Sequence, residues 1–318
     1  MLLLPGALPD ESGRNKKKSV YEILKRKVME KITKNAYAKI NLTLEILEKR
    51  SDGYHNIRSV MQKISLCDVL TFKFSDEEKI NLDCSKNVCD MHDNLAYKAA
   101  EKYLALYKEK CNKVFGVDIY IEKNIPDKAG LAGGSADCAC VLDCLFEKYG
   151  VLDYSDVEEI AASLGSDINF CLDKYRCALC TDRGIKLEKC APLDWKNVLV
   201  CVPDFGMKTS EIYKAFDASP VIFNDNPSEV VYNALETKDT NTVFSKVVNS
   251  FESICEKECA DITEIKKVMM SYGAKVSRMS GSGSSVFGFF DDCESLCKCR
   301  SFLMKKYKKC FVCETVTE

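Results

Sequence analysis

The chain has 318 residues, of which 46% are hydrophobic and 30% are charged, as in a globular protein of about two domains. Its formal net charge of −2 gives no electrostatic case for binding nucleic acid or an anionic membrane. No apolar run approaches the ~20 residues of a membrane span, and no secretory signal is recognisable. The 19 cysteines are scattered through apolar segments, which predicts a reducing, cytoplasmic setting with cysteine used as a small hydrophobic residue.

Two cysteine pairs, Cys177/Cys180 and Cys310/Cys313, have the C-x-x-C spacing of zinc and redox sites. Each pair lies in a strand-like segment, where residues three apart point to opposite faces. The placement of these cysteines in strands therefore favours a role in core packing over metal binding or redox chemistry.

Residues 1–29 are expected to be a peripheral or disordered extension, with VYEILKRKVMEK as an alternative short basic helix. The segment NAYAKINLTLEIL (35–47) then alternates apolar and polar residues and predicts a strand. In such a strand Lys39 and Asn41 share the polar face. A solvated lysine is the alternative interpretation of this face.

A turn is predicted at Ser51-Asp52-Gly53, directly before Tyr54 and His55. Either residue could simply lie at the surface, but together they could hold an aromatic ligand by stacking and hydrogen bonding. Alternating apolar residues predict a strand around Leu70–Phe74, and helical spacing predicts an amphipathic helix over 93–110, capped by Asp93 or Asn94.

The most informative segment is IPDKAGLAGGSADCACVL (125–142), which follows a predicted strand over 117–121 and opens a helix that ends at Gly150. Its glycines allow tight backbone turns, and Ser135 is predicted to cap the helix. Free N–H groups at a helix N-terminus attract phosphate. The segment matches neither the P-loop nor the dinucleotide-binding pattern, so it is either a phosphate loop of a third kind or a tight connection.

After the glycine loop, Ser155–Glu158 predicts a capping box for a helix that ends at Gly165. Asp167 comes next, as either a helix cap or a catalytic carboxylate at the end of an element. A hairpin with its turn at 182–184 follows, and Pro192 and Trp195 predict a change of domain.

In the second half, Lys208 and Thr209 precede a predicted short helix that contains Tyr213. Residues 227–272 predict two or three helices, one of which carries Val243, Phe244, Val247, Val248 and Phe251 on one face. Gly281 and Gly283 form a second glycine loop before a strand at 286–290. A final helix and strand are predicted after it.

Four segments, in this order, resemble the motifs of the GHMP small-molecule kinase superfamily: NAYAKINLTL, IPDKAGLAGGSADCAC, SLGSDINF and RMSGSGSSVFGFF. The resemblance covers about residues 30–290. It implies a two-domain α+β fold with the active site in the cleft between an ATP-binding N-terminal domain (30–190) and a C-terminal domain (191–318). Within the superfamily, the segments SDGYHNIRSVMQ and VPDFGMKTSEIY resemble those of the kinases that act on methylerythritol linked to cytidine diphosphate. This resemblance implies that ATP phosphorylates the 2-hydroxyl of that acceptor.

The resemblance also implies roles for residues. Asp167 would accept the proton of the attacking hydroxyl, and Lys39 would keep Asp167 ionised. The ATP-binding set is Lys123, Pro126, Asp127, Lys128, Ala129, Gly130, Leu131, Ala132, Gly133, Gly134, Ser135 and Ala136. The acceptor-binding set is Asn41, Tyr54, His55, Thr209, Tyr213, Ser280, Gly281, Ser282 and Gly283.

Mg²⁺ should accompany ATP, although no cluster of acidic residues fixes its site. The expected assembly is a monomer or a weak homodimer. Two alternatives stay open: a GHMP kinase for a mevalonate, homoserine or sugar acceptor, and a catalytically silent nucleotide- or sugar-binding regulator on the same fold. The Gly53-Tyr54-His55 turn argues against the first, and the presence of both Lys39 and Asp167 argues against the second.

Overall fold

The computed structural model describes residues 31–86, 89–206 and 208–318. The expectations for residues 1–29 fall outside this part of the chain. The described strands are β1 (Lys31–Asn41), β2 (Thr43–Lys49), β3 (His55–Ser75), β4 (Ile80–Cys84), β5 (Gly116–Glu122), β6 (Cys177–Thr181), β7 (Lys186–Lys189), β8 (Val198–Val202), β9 (Val248–Asn249), β10 (Ala274–Met279), β11 (Val286–Phe290) and β12 (Lys309–Cys313).

A short 3₁₀ turn at Met91–Asp93 precedes the first helix. The described helices are α1 (Leu95–Cys111), α2 (Gly133–Tyr149), α3 (Tyr154–Leu164), α4 (Ile168–Cys171), α5 (Thr209–Ala218), α6 (Pro227–Glu236), α7 (Thr240–Ser245), α8 (Glu252–Glu258), α9 (Ala260–Ser271) and α10 (Cys293–Leu303). The mixture of separate sheets and helices confirms the α+β class.

The described strands form two sheets. The larger one has eight strands in the order β4-β5-β3-β2-β9, with β1 and β6 also paired to β3 and with β7 paired to β6. The smaller sheet has the order β10-β11-β8-β12. The long strand β3 is the centre of the larger sheet, because it pairs in turn with β2, β6, β1 and β5 along its length.

Two hydrophobic cores accompany the two sheets. The first joins β1, β3 and β5 to α1 and α2, and the second joins β8, β10 and β11 to α9 and α10. The short strand β9 pairs in parallel with β2, so the second half of the chain contributes to the larger sheet. The domain division at residues 190/191 stays a prediction.

The first predicted strand differs from the structure in one respect that matters for function. Two strands, β1 and β2, replace the single strand predicted at 35–47, and β1 has a register shift between Tyr37 and Lys39. An alternating pattern of apolar residues does not reveal such a bulge. Next to it, the Lys39 N–H donates to Leu131 O at 3.1 Å, which ties β1 to the glycine loop.

Two predicted helix caps were wrong, the first by three residues and the second by two. Helix α2 begins at Gly133 after Ala132, which has a φ of +59°, so Ser135 lies in the first turn and is not the cap. Helix α3 is capped by Asp153 instead of Ser155, and the Asp156 carboxylate accepts the Asp153 N–H at 3.0 Å. In α3, carboxylates serve at both positions of the capping box, which is why the neighbouring Ser155 was misleading. Asn94 does cap α1, since its side chain accepts the Ala96 N–H.

Residues 227–272 form four helices, α6 to α9, where two or three were predicted. The proposed face from Val243 to Phe251 was wrong, because α7 ends at Ser245 and Val248 belongs to β9. Strand pairing with β2 interrupts what the sequence pattern shows as one helix. The hairpin at 177–189 and the strand at 286–290 are confirmed.

All nineteen cysteines are free. The members of both C-x-x-C pairs are buried in β6 and β12, and their sulfur neighbours lie on other strands or loops: Cys177 with Cys190 at 3.1 Å, and Cys310 with Cys201 at 3.2 Å. Burial raises the pKa of Cys313 to about 12, which keeps that thiol protonated. The packing interpretation therefore agrees with the structure.

Candidate active site

A cleft of about 980 Å³ lies where the two glycine loops, the end of β1 and the start of α5 meet. From the predicted set, the lining includes Lys39, Asn41, Lys123, Pro126, Asp127, Lys128, Ala129, Gly130, Ala132, Gly133, Gly134, Ser135, Asp167, Thr209, Tyr213, Gly281, Ser282 and Gly283. Leu131 and Ser280 are buried residues of the two loops, and Ala136 is buried in the first turn of α2. A cleft of this volume is large enough for two small substrates.

The first glycine loop presents a helix N-terminus to this cleft. Helix α2 starts within the lining, at Gly133, and its first N–H groups have no partners inside the helix. They coincide with the positive end of a 17-residue helix. This arrangement suits a phosphate group without a lysine of the P-loop type.

The two glycine loops are in contact, although they lie about 150 residues apart in the sequence. The Ser280 hydroxyl donates to Gly130 O at 3.0 Å and accepts the Asn41 N–H at 3.3 Å. Gly130 has a φ of +75°, and a Cβ atom built there would lie 2.1 Å from Ser280 O. Only glycine permits this contact, which fixes both loops to the end of β1.

Lys39 and Asp167 meet at the cleft. The Lys39 Nζ atom lies 3.5 Å from Asp167 Oδ2, and the two side chains are 4% and 35% exposed. Lys39 Nζ also donates to Asn41 Oδ1 at 2.7 Å, and Asn41 Nδ2 donates to Ser59 Oγ at 2.8 Å. A buried ammonium group is thus held in one place beside a carboxylate that solvent and substrate can reach.

Asp167 occupies the cap position of α4, but its side chain makes no capping hydrogen bond. Its carboxylate is directed instead towards Lys39. Of the two interpretations that the sequence left open, the geometry favours a carboxylate available for chemistry.

Lys123 lines the cleft, yet its ammonium group already has two carboxylate partners. Its Nζ atom donates to Asp68 at 2.5 Å and to Asp137 at 2.6 Å, and all three side chains are buried. The other oxygen of Asp68 accepts the N–H groups of Asn124 and Ile125. Burial raises the pKa of Asp137, against the opposing effect of Lys123. Lys123 is therefore better placed to fix the start of the loop than to hold a phosphate directly.

The residues proposed for the acceptor do not all reach the cleft. Tyr213 and Thr209 line it, and Thr209 Oγ1 lies 3.2 Å from Ser282 Oγ. His55 is buried and stacks on Tyr213, with ring centroids 5.2 Å apart, while its Nε2 atom lies 2.8 Å from Asp217 Oδ1. Burial raises the pKa of Tyr213 to about 12, so its hydroxyl can donate a hydrogen bond at neutral pH.

Tyr54 is 59% exposed and is outside the cleft lining. Its ring packs under the guanidinium group of Arg183 at 4.8 Å. The structure therefore does not bring Tyr54 together with Tyr213 and Thr209, and its role in acceptor binding stays a prediction.

Sequence reasoning missed two residues that shape the cleft. Asn249 is buried and its amide donates to Met279 O at 2.9 Å and to Gly281 O at 2.8 Å, which holds the second glycine loop. Ser59 orients Asn41. No local motif marks either residue, because both act through contacts with distant segments.

Within the described ranges, no group of three or more His, Cys, Asp or Glu side chains could hold a metal ion. In the same part of the chain, no helix has both the length and the apolar character that crossing a membrane requires.

The fold and the cleft are those of a small-molecule kinase. The family model for the N-terminal domain of the GHMP kinases matches residues 94–174, and the model for their C-terminal domain matches residues 233–308. Known structures share the fold: a homoserine kinase from Cytophaga hutchinsonii superposes with a TM-score of 0.67 at 14% identity, with 92% of this chain and 96% of that chain covered.

Relatives with higher sequence identity to this chain are named 4-diphosphocytidyl-2-C-methyl-D-erythritol kinase. One from Clostridium botulinum is 38% identical over 283 residues, which cover 88% of this chain and 99% of the relative. One from Clostridioides difficile is 38% identical over 288 residues, which cover 89% and 95%. A crystal structure of 4-(cytidine 5'-diphospho)-2C-methyl-D-erythritol kinase superposes with a TM-score of 0.74 at 28% identity, covering 89% of this chain and 99% of that one. The chain belongs to this family within the GHMP kinases.

Proposed function

We propose that this chain transfers the γ-phosphoryl group of ATP to the 2-hydroxyl of 4-diphosphocytidyl-2-C-methyl-D-erythritol, a step of the methylerythritol phosphate route to isoprenoids. The relatives at 38% identity carry the name of this activity. The observation that carries the proposal is the 3.5 Å approach of Lys39 and Asp167 beside the N-terminus of α2 in one cleft.

Phosphoryl transfer depends chiefly on positioning and on neutralising charge. ATP would place its phosphates against the first turn of α2 and the loop from Pro126 to Ala132. Asp167 would accept the proton of the acceptor hydroxyl as that oxygen attacks the γ-phosphorus. Lys39 would stabilise the negative charge that develops there, and Asn41 would hold the Lys39 ammonium in place.

Mg²⁺ is the proposed companion of ATP. Oxygen donors that suit this ion are present in the cleft lining, namely the side chains of Ser135, Asp127 and Asp167. When bound, the ion would neutralise phosphate charge, and its ligands would be mainly phosphate oxygens and water.

The acceptor would lie towards α5, where Thr209, Tyr213 and the second glycine loop line the cleft. The stack of His55 on Tyr213 fixes the Tyr213 ring, and such a rigid aromatic edge suits a nucleobase. We further propose a cytoplasmic monomer or weak homodimer that does not bind nucleic acid, since the free cysteines and the small net charge fit that setting.

The test is a panel of acceptors with purified protein and Mg-ATP, monitored for ADP release and for a phosphorylated product by mass spectrometry. Turnover should require the cytidine-linked methylerythritol and should be absent with mevalonate, homoserine or a hexose. Preferential turnover of one of those acceptors would contradict the proposed substrate. ATP binding without acceptor-dependent ADP release from any acceptor would favour a regulatory protein.

Asp167→Asn is the matched variant for this assay. It keeps the size of the side chain but removes its capacity to accept the proton. We expect ATP affinity within about threefold of the wild type and a turnover at least ~10²-fold lower, the scale of a lost general base. Near-normal turnover would remove Asp167 from the proposed role.

A further inference from the structure

Another buried lysine lies beside the proposed catalytic pair and has no assigned role. Lys63 is on β3, directly opposite Lys39 in the antiparallel pairing of β1 with β3. Both lysines are buried. Residues directly opposite each other in such a pair project from the same face of the sheet. A second buried cation on that face requires partners, because an unpaired buried charge is costly.

The partners of Lys63 are main-chain carbonyls. Its Nζ atom donates to Cys171 O at 2.9 Å and to Leu172 O at 2.8 Å, at the C-terminal end of α4. The last carbonyls of a helix have no partners inside the helix, and a cation there also favours the helix dipole. Lys63 therefore caps the helix whose first position follows Asp167.

Helix α4 has only four residues, Ile168–Cys171, and a single helical turn is not stable by itself. Its place depends on contacts from outside, which include the buried side chains of Ile168 and Phe170. Lys39 meets the segment at its beginning, through Asp167, and Lys63 meets it at its end. Two adjacent lysines of one sheet thus hold the two ends of the same short segment.

We propose that Lys63 is a positioning residue for the phosphoryl transfer, which fixes the carbonyl end of α4 and thereby keeps the Asp167 carboxylate in register with Lys39 and the acceptor hydroxyl. This inference rests on the proposed role of Asp167 as the base. A shift of about 1 Å in a reacting group can cost ~10²-fold in rate, so a small movement of α4 is sufficient to matter. Lys63 does not line the cleft, and its ammonium group contacts the end of α4 instead of the ATP-binding loop.

The test is Lys63→Met, which keeps the apolar stem and removes the three N–H donors. We expect kcat to fall about 10- to 100-fold while KM for ATP stays within about threefold of the wild type. Lys63→Arg returns donors to the two carbonyls and should be faster than Lys63→Met. The control is Trp195→Phe, which removes another side-chain bond to a main-chain carbonyl, Trp195 Nε1 to Phe290 O at 2.8 Å, away from the cleft. Its kcat should equal that of the wild type.

A folded Lys63→Met enzyme with wild-type kcat would overturn the inference. The inference would also fail if Lys63→Arg were no faster than Lys63→Met. It would fail as well if Trp195→Phe lost as much kcat as Lys63→Met at an equal loss of thermal stability. If Lys63→Met is not recovered folded, Lys63→Gln is judged by the same criteria. Asp167→Asn is assayed in parallel: near-normal turnover there refutes the base, whereas a slow Asp167→Asn with a normal Lys63→Met refutes only the positioning role.

Discussion

Replacing Gly130 with alanine should separate the two glycine loops and reduce catalysis far more than it reduces stability. A Cβ atom at this position would lie 2.1 Å from Ser280 O, and an ordinary contact begins at 3.4 Å. Relieving the overlap therefore requires a movement of about 1.3 Å by one of the loops. That movement breaks the bond from Ser280 Oγ to Gly130 O and displaces the phosphate loop, so we expect kcat/KM for ATP to fall about 10²-fold.

Gly273→Ala is the matched control for this variant. Gly273 also has a positive φ, +94°, but a Cβ atom there meets nothing within 4 Å. Both variants incur the cost of about 1–2 kcal/mol for alanine in the left-handed region. The difference between their kcat/KM values therefore isolates the effect of the contact between the loops. The assays are ATP turnover and thermal unfolding. If Gly130→Ala and Gly273→Ala have the same kcat/KM, the loops do not form a common phosphate site.

Three further predictions concern individual side chains. Lys39→Met should lower kcat at least ~10²-fold with little change in the Kd for ATP, measured by calorimetry; a variant that loses only ATP affinity would make Lys39 a nucleotide ligand. His55→Phe keeps the ring stacked on Tyr213 but loses the hydrogen bond to Asp217. We expect KM for the acceptor to rise about tenfold while KM for ATP does not change. An unchanged acceptor KM would place His55 outside the acceptor site. Burial raises the pKa of Asp143 from 3.8 to about 6, so the folded state binds a proton that the unfolded state has released. The free energy of unfolding of the wild type relative to Asp143→Asn should therefore fall by about 2 kcal/mol as pH rises from 4 to 6. Urea titrations can measure this change, and a constant difference would contradict it.

Local patterns in the sequence predicted the parts of the cleft that depend on neighbours along the chain. The two-residue period of β1 placed Lys39 and Asn41 on one face, and their side chains are 2.7 Å apart. The glycine-rich segment before α2 predicted a loop and a helix N-terminus, which the structure contains. The predicted cap, Ser135, was wrong, because Ala132 takes the left-handed conformation and the helix begins directly after it at Gly133.

The parts that the sequence did not predict depend on contacts between distant segments. Nothing in the residues around Asn249 indicates that its amide holds the carbonyl of Gly281. Lys63 reads as an ordinary strand residue until its partner carbonyls in α4 are seen. Tyr54 and His55 are adjacent in sequence, but one is exposed and the other is buried against Tyr213, since neighbouring side chains of an extended chain point in opposite directions.

We propose that one cleft transfers a phosphoryl group from ATP to a single hydroxyl of the cytidine-linked methylerythritol. The most direct measurement is ³¹P NMR of the product formed by the wild-type chain with Mg-ATP and this acceptor. We expect one new phosphomonoester resonance, whose phosphorus shows ³¹P–¹³C coupling to carbon 2 of the methylerythritol, to grow in equal amount with ADP. ADP formed without that resonance, or a phosphate found on another hydroxyl, would contradict the account.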